Sequence, residues 1–393
     1  MGVIVRYILR NLGVAFLCGF AAFTFLLVIG GVIMQATSMD MPLIHAVQLI
    51  PFIFAKMSSI SLPVTLLLAV TTFFGQMSGN NEVIALKALG IPPKAFLVPV
   101  FAIAIFISVI GVRINECSVT WGQKGINAVG FYAAEDILIK RLKKNHRFDT
   151  PNKQITILVS GVDEQRRLIK PTIISKKESA TIEAEMAQIT IDFSTNILTL
   201  TLTNFRVVGE GGTFKYASQN RTFPIPLDEM IPSVDMNRPS NMGLNRISEE
   251  KKQTAERMEH QRRIIAVHRT FSASMGSVDD WASPQISRAK AEIRSLQSHY
   301  NRLSVEPPRR WATGFCCFFF VWLGAPLAIW MRKTDFFSSF FACFLPILLL
   351  FYPLLMFGFE QAKHGTLPPI CVWTANAAIG LVGLWFLRQI HRY

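Results

Sequence analysis

The chain predicts a membrane α-helical protein of six transmembrane helices, with an antiparallel β-domain of sandwich or jelly-roll type inserted between the third and fourth. Three observations carry that prediction. Of its 393 residues 51% are hydrophobic and only 17% charged, a balance far from that of soluble domains. Six uncharged runs occur, at Leu12 to Met34, Met57 to Asn81, Ala95 to Val112, Trp311 to Met331, Phe336 to Phe359 and Gly365 to Leu387. A hydrocarbon core of about 30 Å takes roughly 20 apolar residues of helix, so each run can span it. After Gln154 the hydrophobic period changes from helical to alternating, the mark of strands.

The first three runs lie close together, and the third, at 18 residues, is short enough that its helix is expected to continue past Arg113. Orientation follows from Lys and Arg in the short loops, which mark the cytoplasmic side. Arg6 and Arg10 precede span one, Lys87 and Lys94 separate spans two and three, Arg332 and Lys333 separate four and five, and Arg388 and Arg392 follow six. The loop from Gln35 to Ala46 has neither residue. Both termini are thus expected in the cytoplasm and the region from Asn115 to Arg310 outside it. The alternative for the first run, a cleaved signal peptide, fits poorly with its length and the lack of a small-x-small site.

Between spans two and three, Asn81 to Pro93 reads as a punctuated short helix over 82–89. Asn81 is the expected N-cap, Glu82 suits the positive end of the dipole, Lys87 the last turn and Gly90 the left-handed position beyond it, with Pro92 and Pro93 barring continuation. About two turns of helix are marginal in isolation, so a membrane surface or a partner is expected to hold it.

Outside the membrane, Ile189 and Ile191 alternate with Thr190 and Asp192, and beyond Ser194 to Asn196 Leu198, Leu200 and Leu202 alternate with Thr199, Thr201 and Thr203. That is a hairpin with one apolar and one threonine face. Such a β-domain either is simply a stable module or shelters acyl chains. Ile247 to Leu303 reads as two polar helices broken near Ser272 to Pro284, with charges of mixed sign that suit a solvated surface. The organisation expected is 1–114 for spans one to three, 115–245 for the β-domain, 246–308 for the polar helices and 309–393 for spans four to six.

A net charge of +14 is spread over membrane flanks and the external region, which points to anionic lipid and away from nucleic acid. The six cysteines lie in or beside spans without a Cys-x-x-Cys pair, so neither a disulfide framework nor zinc is expected. The sequence has no Gly-x-x-x-x-Gly-Lys-Ser/Thr segment and no His-Glu-x-x-His. Gly209-Glu210-Gly211-Gly212 is a turn with no βαβ unit after it. No cofactor or metal is expected, no catalytic cluster is visible, and any ATP use belongs to another subunit.

Three stretches resemble the LptF/LptG permease family of lipopolysaccharide export. Glu82-Val83-Ile84-Ala85-Leu86-Lys87-Ala88-Leu89-Gly90-Ile91 resembles its Glu-x-x-Ala-x-x-x-x-Gly-Ile coupling helix. Ala180 to Gly209 resembles its jelly-roll hairpin, through Ile182, Ala184, Ala187, Asp192 and Leu198-Thr199-Leu200. Gly324-Ala325-Pro326-Leu327 and Gly365 to Pro369, with Trp373 to Asn376, resemble its last half. The resemblance implies an inner-membrane permease that extracts lipopolysaccharide and passes it to periplasmic LptC/LptA-like jelly-roll proteins. It pairs with a second LptF/LptG-type permease and docks on a cytoplasmic ABC ATPase homodimer through Glu82, Ala85, Leu86, Leu89 and Gly90. For Glu82 the plain alternative is dipole stabilisation of a helix start. Only Arg246 to Ser298 departs from the pattern, as a polar helical segment longer than the family usually has. Other readings of the layout are a permease for another lipid or lipoprotein and a membrane scaffold with a partner-binding β-domain.

Lipid-contact candidates come from charge near the outer ends of spans. Arg113 can meet a lipid phosphate with Glu116 holding it, or simply snorkel to the interface. Lys56, on the approach to span two, and Arg310, before span four, complete the set, although topology alone also accounts for both.

Overall fold

The computed structural model describes residues 2–39, 41, 43–150, 155–163, 165, 167–175, 180–192, 197–209, 214–226, 238–274, 284–331 and 336–392. The chain forms two compact units. One comprises Met1–Leu26, Ala55–Thr120 and Met236–Tyr393, the other Leu27–Phe54 and Trp121–Asp235.

Among the described residues six helices are long and apolar enough to cross a membrane: Gly2–Ser38, Ile50–Gly79, Lys94–Gly130, Ile286–Met331, Phe340–Lys363 and Pro369–Ile390. They correspond to the six uncharged runs. The third does continue past Arg113. Helix α5 (Lys94–Cys117) passes through a π turn at Ser118–Gly122 into α6 (Gln123–Tyr132). The sixth begins later than its run. Gly365 closes α11 (Tyr352–Lys363), a 3-10 turn covers Pro369–Trp373, and α12 runs from Thr374 to Arg392. Ahead of α11, α10 (Phe336–Pro346) widens into a π turn at Ile347–Phe351 just before Pro353, which cannot donate to the ladder.

In the first unit one core holds the bundle together. Leu66, Val70 and Phe74 of α3 (Ile50–Gly79), Phe96 and Val100 of α5, and Val321 and Ala325 of α9 (Pro284–Met331) are buried in it. Span four is the most enclosed; spans one and five are the least. Close approach between spans three and four needs glycine. A Cβ on Gly314 would stand 2.9 Å from the backbone nitrogen of Val112, the small-residue contact by which apolar helices pack where lipid gives no hydrophobic drive. Polar side chains add cross-helix bonds. The Asn376 amide donates to the Ala312 carbonyl (3.0 Å), the Trp322 indole to Gly380 (3.1 Å) and the Ser78 hydroxyl to Ile329 (2.8 Å).

Two polar helices do follow the β-domain, but the second is not separate from span four. Helix α9 is continuous for 48 residues, so the boundary expected at 308/309 falls inside it. Pro307 and Pro308 lie within that helix and remove two backbone donors. Leu303 and Val305 just before them are fully buried, and that packing offsets the loss. The expected break from Ser272 to Pro284 lies mostly outside the described residues. Helix α8 (Leu244–Ser274) packs antiparallel on α9, with Ile247 against Leu303, Lys251 over the Tyr300 ring and His299 4.0 Å from Glu250. The buried and half-buried positions Ile247, Lys251, Thr254, Met258, Gln261, Ile265 and His268 on α8 step by four and three. Ile286, Ala289, Ile293, Leu296, Tyr300 and Leu303 on α9 do the same, which is the seam of a coiled-coil hairpin.

The second unit contains an eight-stranded antiparallel sheet. Its spine is the expected hairpin, β6 (Ala180–Asp192) with β7 (Ile197–Gly209), in a register that pairs Asp192 with Ile197 and Ile189 with Leu200. The turn at 193–196 lies outside the described residues. On the far edge of β7 lies β8 (Phe214–Pro226). On the far edge of β6, β5 (Thr172–Ser175) pairs with 180–183 and β4 (Arg167–Ile169) with 186–188. From β5 the sheet continues to β2 (Ile155–Leu158) and β1 (Arg147–Asp149), and from β4 to β3 (Gly161–Val162). Ile157, Leu168, Ile173, Ala187, Leu200 and Phe205 form its buried face, with Leu138 and Leu142 of α7 (Ala134–Asn145) in the same core. His45, in α2 (Leu43–Gln48), reaches Asp136 of α7 at 3.1 Å.

Candidate functional site

The short segment after span two folds as helix α4, Glu82–Ala88, with Leu89 as its C-cap. Its start differs from expectation. Asn81 is left-handed (φ 60°, ψ 13°) and its side chain makes no capping bond. The chain must reverse from α3 into α4 across Asn80 and Asn81 alone, which demands a positive φ, and Asn is the non-glycine residue that tolerates it. Its carbonyl still accepts the first helical bond, from the Ala85 amide (3.0 Å). The C-terminus is as read. Gly90 has φ 77°, the Gly90 amide donates to Lys87 (2.9 Å) and the Ile91 amide to Leu86 (3.0 Å), the paired bonds of a Schellman motif.

Helix α4 has two unlike faces. Val83 is only 4% exposed and Leu86 packs on the same core, while the Lys87 ammonium donates to the Ile390 carbonyl at 3.0 Å. That bond places a cation at the negative end of α12. The opposite face is Ile84, Ala85, Ala88 and Leu89, all exposed, Leu89 at 76%. Glu82 is half-buried at the N-terminal end. A groove of about 720 Å³ runs beside the helix, lined by Lys87 and Ala88 on one side and by Ile329, Trp330 and Ile390 on the other. So α4 is anchored along one side and exposed along the other.

The lipid-contact candidates fare differently from one another. Glu116 does not hold Arg113. Its Oε2 lies 2.6 Å from Nη1 of Arg310, and its Oε1 accepts from the Leu244 amide at 2.8 Å. Arg310 is 2% exposed, and its Nη2 donates to the Met242 carbonyl at 2.6 Å, with Ser240 and Pro239 at 3.3 and 3.4 Å. Glu306 adds an ion pair to Arg310 Nε at 3.8 Å and one to Arg309 at 3.0 Å. Arg310 is therefore enclosed by protein rather than turned to lipid. A guanidinium with five fixed donors is the side chain that can bind two carboxylates and a run of carbonyls at once. The cluster joins α5, α9 and the 239–244 approach to α8. No local sequence signal pairs Glu116 with Arg310, which are 194 positions apart. Arg113 is exposed and Lys56 half-buried. Neither side chain has a hydrogen-bond or ion-pair partner among the described residues.

Apolar spans, an inserted sheet and a half-bare inter-span helix define a polytopic membrane protein of the transporter-subunit class. The family model of the lipopolysaccharide export system permease LptF/LptG matches residues 6–389, nearly the whole chain, and the chain belongs to that family. Membership makes it a permease subunit of lipopolysaccharide transport. No curated protein matches the chain closely enough to count as a relative.

Proposed function

We propose that this chain is one of two permease subunits of an inner-membrane ABC exporter, with both termini in the cytoplasm. It extracts lipopolysaccharide and passes it to periplasmic LptC/LptA-like carriers through its own sheet, acting as a jelly roll. A cytoplasmic ATPase homodimer docks on α4, and nucleotide-driven closure reaches the spans through Val83, Leu86 and the Lys87 to Ile390 bond. The observation that carries this reading is the asymmetry of α4, apolar and bare on one side and fixed to the bundle on the other. Ala85 and Leu89 form the contact, Gly90 sets the exit, and Glu82 meets the ATPase at the helix start. Spans one and five are the least enclosed of the six, which suits the second permease subunit and the lipid between them. Arg113 and Lys56, whose side chains have no partner among the described residues, meet lipid phosphates.

Two experiments test this. Depletion of the protein followed by membrane fractionation is expected to strand lipopolysaccharide in the inner membrane; unchanged delivery to the outer membrane overturns the reading. Glu82→Ala is expected to lower export while the subunit still inserts at normal abundance. Unchanged export together with unchanged ATPase copurification removes Glu82 from the contact.

A further inference from the structure

The groove beside α4 lies at the membrane surface. One wall is α4; the other is Ile329 and Trp330 at the end of span four with Gln389 and Ile390 at the end of span six. The uncharged runs of those two spans stop at Met331 and Leu387, each followed at once by an arginine, so the second wall sits where the spans leave the hydrocarbon. Trp330 is 51% exposed and backed by Phe386, with ring centroids 5.6 Å apart, the half-wet setting that indole favours at a bilayer surface.

Of the residues that line the groove, Lys87 alone carries a charge, and most of the others are apolar. The Lys87 ammonium donates to the Ile390 carbonyl at 3.0 Å, which offsets the negative end of α12 that would repel an anion. Two further N–H donors remain on the same nitrogen. One cation over an apolar trough matches an anionic amphiphile, and basic pockets between span ends on the cytoplasmic side are where anionic headgroups bind. The volume of about 720 Å³ falls within the roughly 300–1,000 Å³ of ligand sites.

The groove and the ATPase contact use different sides of α4. Val83 with Lys87, and Ile84 with Ala88, are pairs four apart that lie together on the groove wall. Ala85 and Leu89, also four apart, follow on the next side round and do not line the groove. A partner seated on Ala85 and Leu89 therefore has no need of it.

We propose that this groove binds an anionic phospholipid of the surrounding membrane, with its phosphate on Lys87 and its acyl chains along Ile329 and Trp330. A lipid seated there touches α4, span four and span six together and braces the short helix against the bundle. The proposal goes beyond the export reading and takes from it only the side of the membrane.

The test uses the full chain, purified from its native membrane and reconstituted in phosphatidylcholine nanodiscs containing a little phosphatidylglycerol with a diazirine near its glycerol. After illumination, peptide mass spectrometry is expected to find the adduct at 329–330 or 389–390. Phosphatidylcholine with the same diazirine is expected to label there about fivefold less, the contribution of one cation near a membrane surface. Lys87→Gln is expected to remove that preference and Lys87→Arg to keep it. Ala88→Trp, which fills the groove and leaves the charge in place, is expected to remove most of the adduct at unchanged abundance. Unlabelled phosphatidylglycerol is expected to displace the probe, and soluble glycerol phosphate in excess is not; displacement by the latter would show a free-phosphate site. Equal labelling by the two lipids, a preference that survives Lys87→Gln, an adduct indifferent to Ala88→Trp, or no adduct in the groove overturns the proposal. So does an adduct lost whenever an ATPase copurifies, which would give the groove to that partner. None of these readouts uses export or cargo, so failure of the export reading and failure of this one are told apart.

Discussion

The two ends of spans three and four are built on opposite physical plans. At one end Arg310 is held by Glu116, Glu306 and three backbone carbonyls and is only 2% exposed. At the other end α4 is held by apolar packing and one lysine bond, and half its surface is exposed. A closed ionic cluster fixes geometry, because its members are costly to separate. A two-turn helix is marginal by itself and depends on what packs against it. The contrast sets a closed ionic contact against an open apolar one, and on the proposed function the first fixes the bundle and the second couples it to the ATPase.

Breaking the Arg310 cluster should have the largest effect. Arg310→Met removes the cation that Glu116 and Glu306 share and is expected to cost about 3 kcal/mol, read as thermal stability in detergent. Adding Glu116→Gln and Glu306→Gln is expected to restore most of it; no loss on the single change would mean the cluster contributes nothing.

Glycine substitutions sharpen the comparison next. Gly90 and Gly365 both have φ 77°, and both close helices through paired Schellman bonds. A Cβ at Gly90 meets open space, whereas at Gly365 it runs into the Asn301 amide. Gly90→Ala is expected to cost about 1 kcal/mol, the left-handed penalty alone, and Gly365→Ala somewhat more, because the Asn301 amide must move. Equal costs would contradict the packing at Gly365. Similar in size to the Gly90 change is Lys87→Met, which removes the bond to Ile390 and is expected to cost about 1 kcal/mol while weakening coupling between ATPase and spans. Coupling at wild-type strength would show that Lys87 only decorates the anchored face.

What was legible in the sequence follows physical range. The spans were readable because each is one apolar run. The β6–β7 hairpin was readable because alternation in Thr199 to Thr203 is local, and the end of α4 because Gly90 and its prolines are neighbours. Asn81 misled because the same residue suits an N-cap and a left-handed turn, and only the two-residue reversal after Gly79 decides between them. The join of α9 to span four was obscured by Pro307, Pro308 and the charges around them, although the four-three spacing from Ile286 to Leu303 was there to be counted. The Arg310 cluster was out of reach, because its partners come from three distant parts of the chain and no pattern in any one of them announces the others.

The central claim is that the bare face of α4 couples this permease to an ATPase. Ile84→Asp with Leu89→Asp alters two exposed residues, so stability should change by no more than about 0.5 kcal/mol. The measurement is the ratio of ATPase to permease recovered when the complex is purified from membranes. The account predicts that the double variant, at normal abundance and melting temperature, loses the ATPase. Recovery at the wild-type ratio would contradict it.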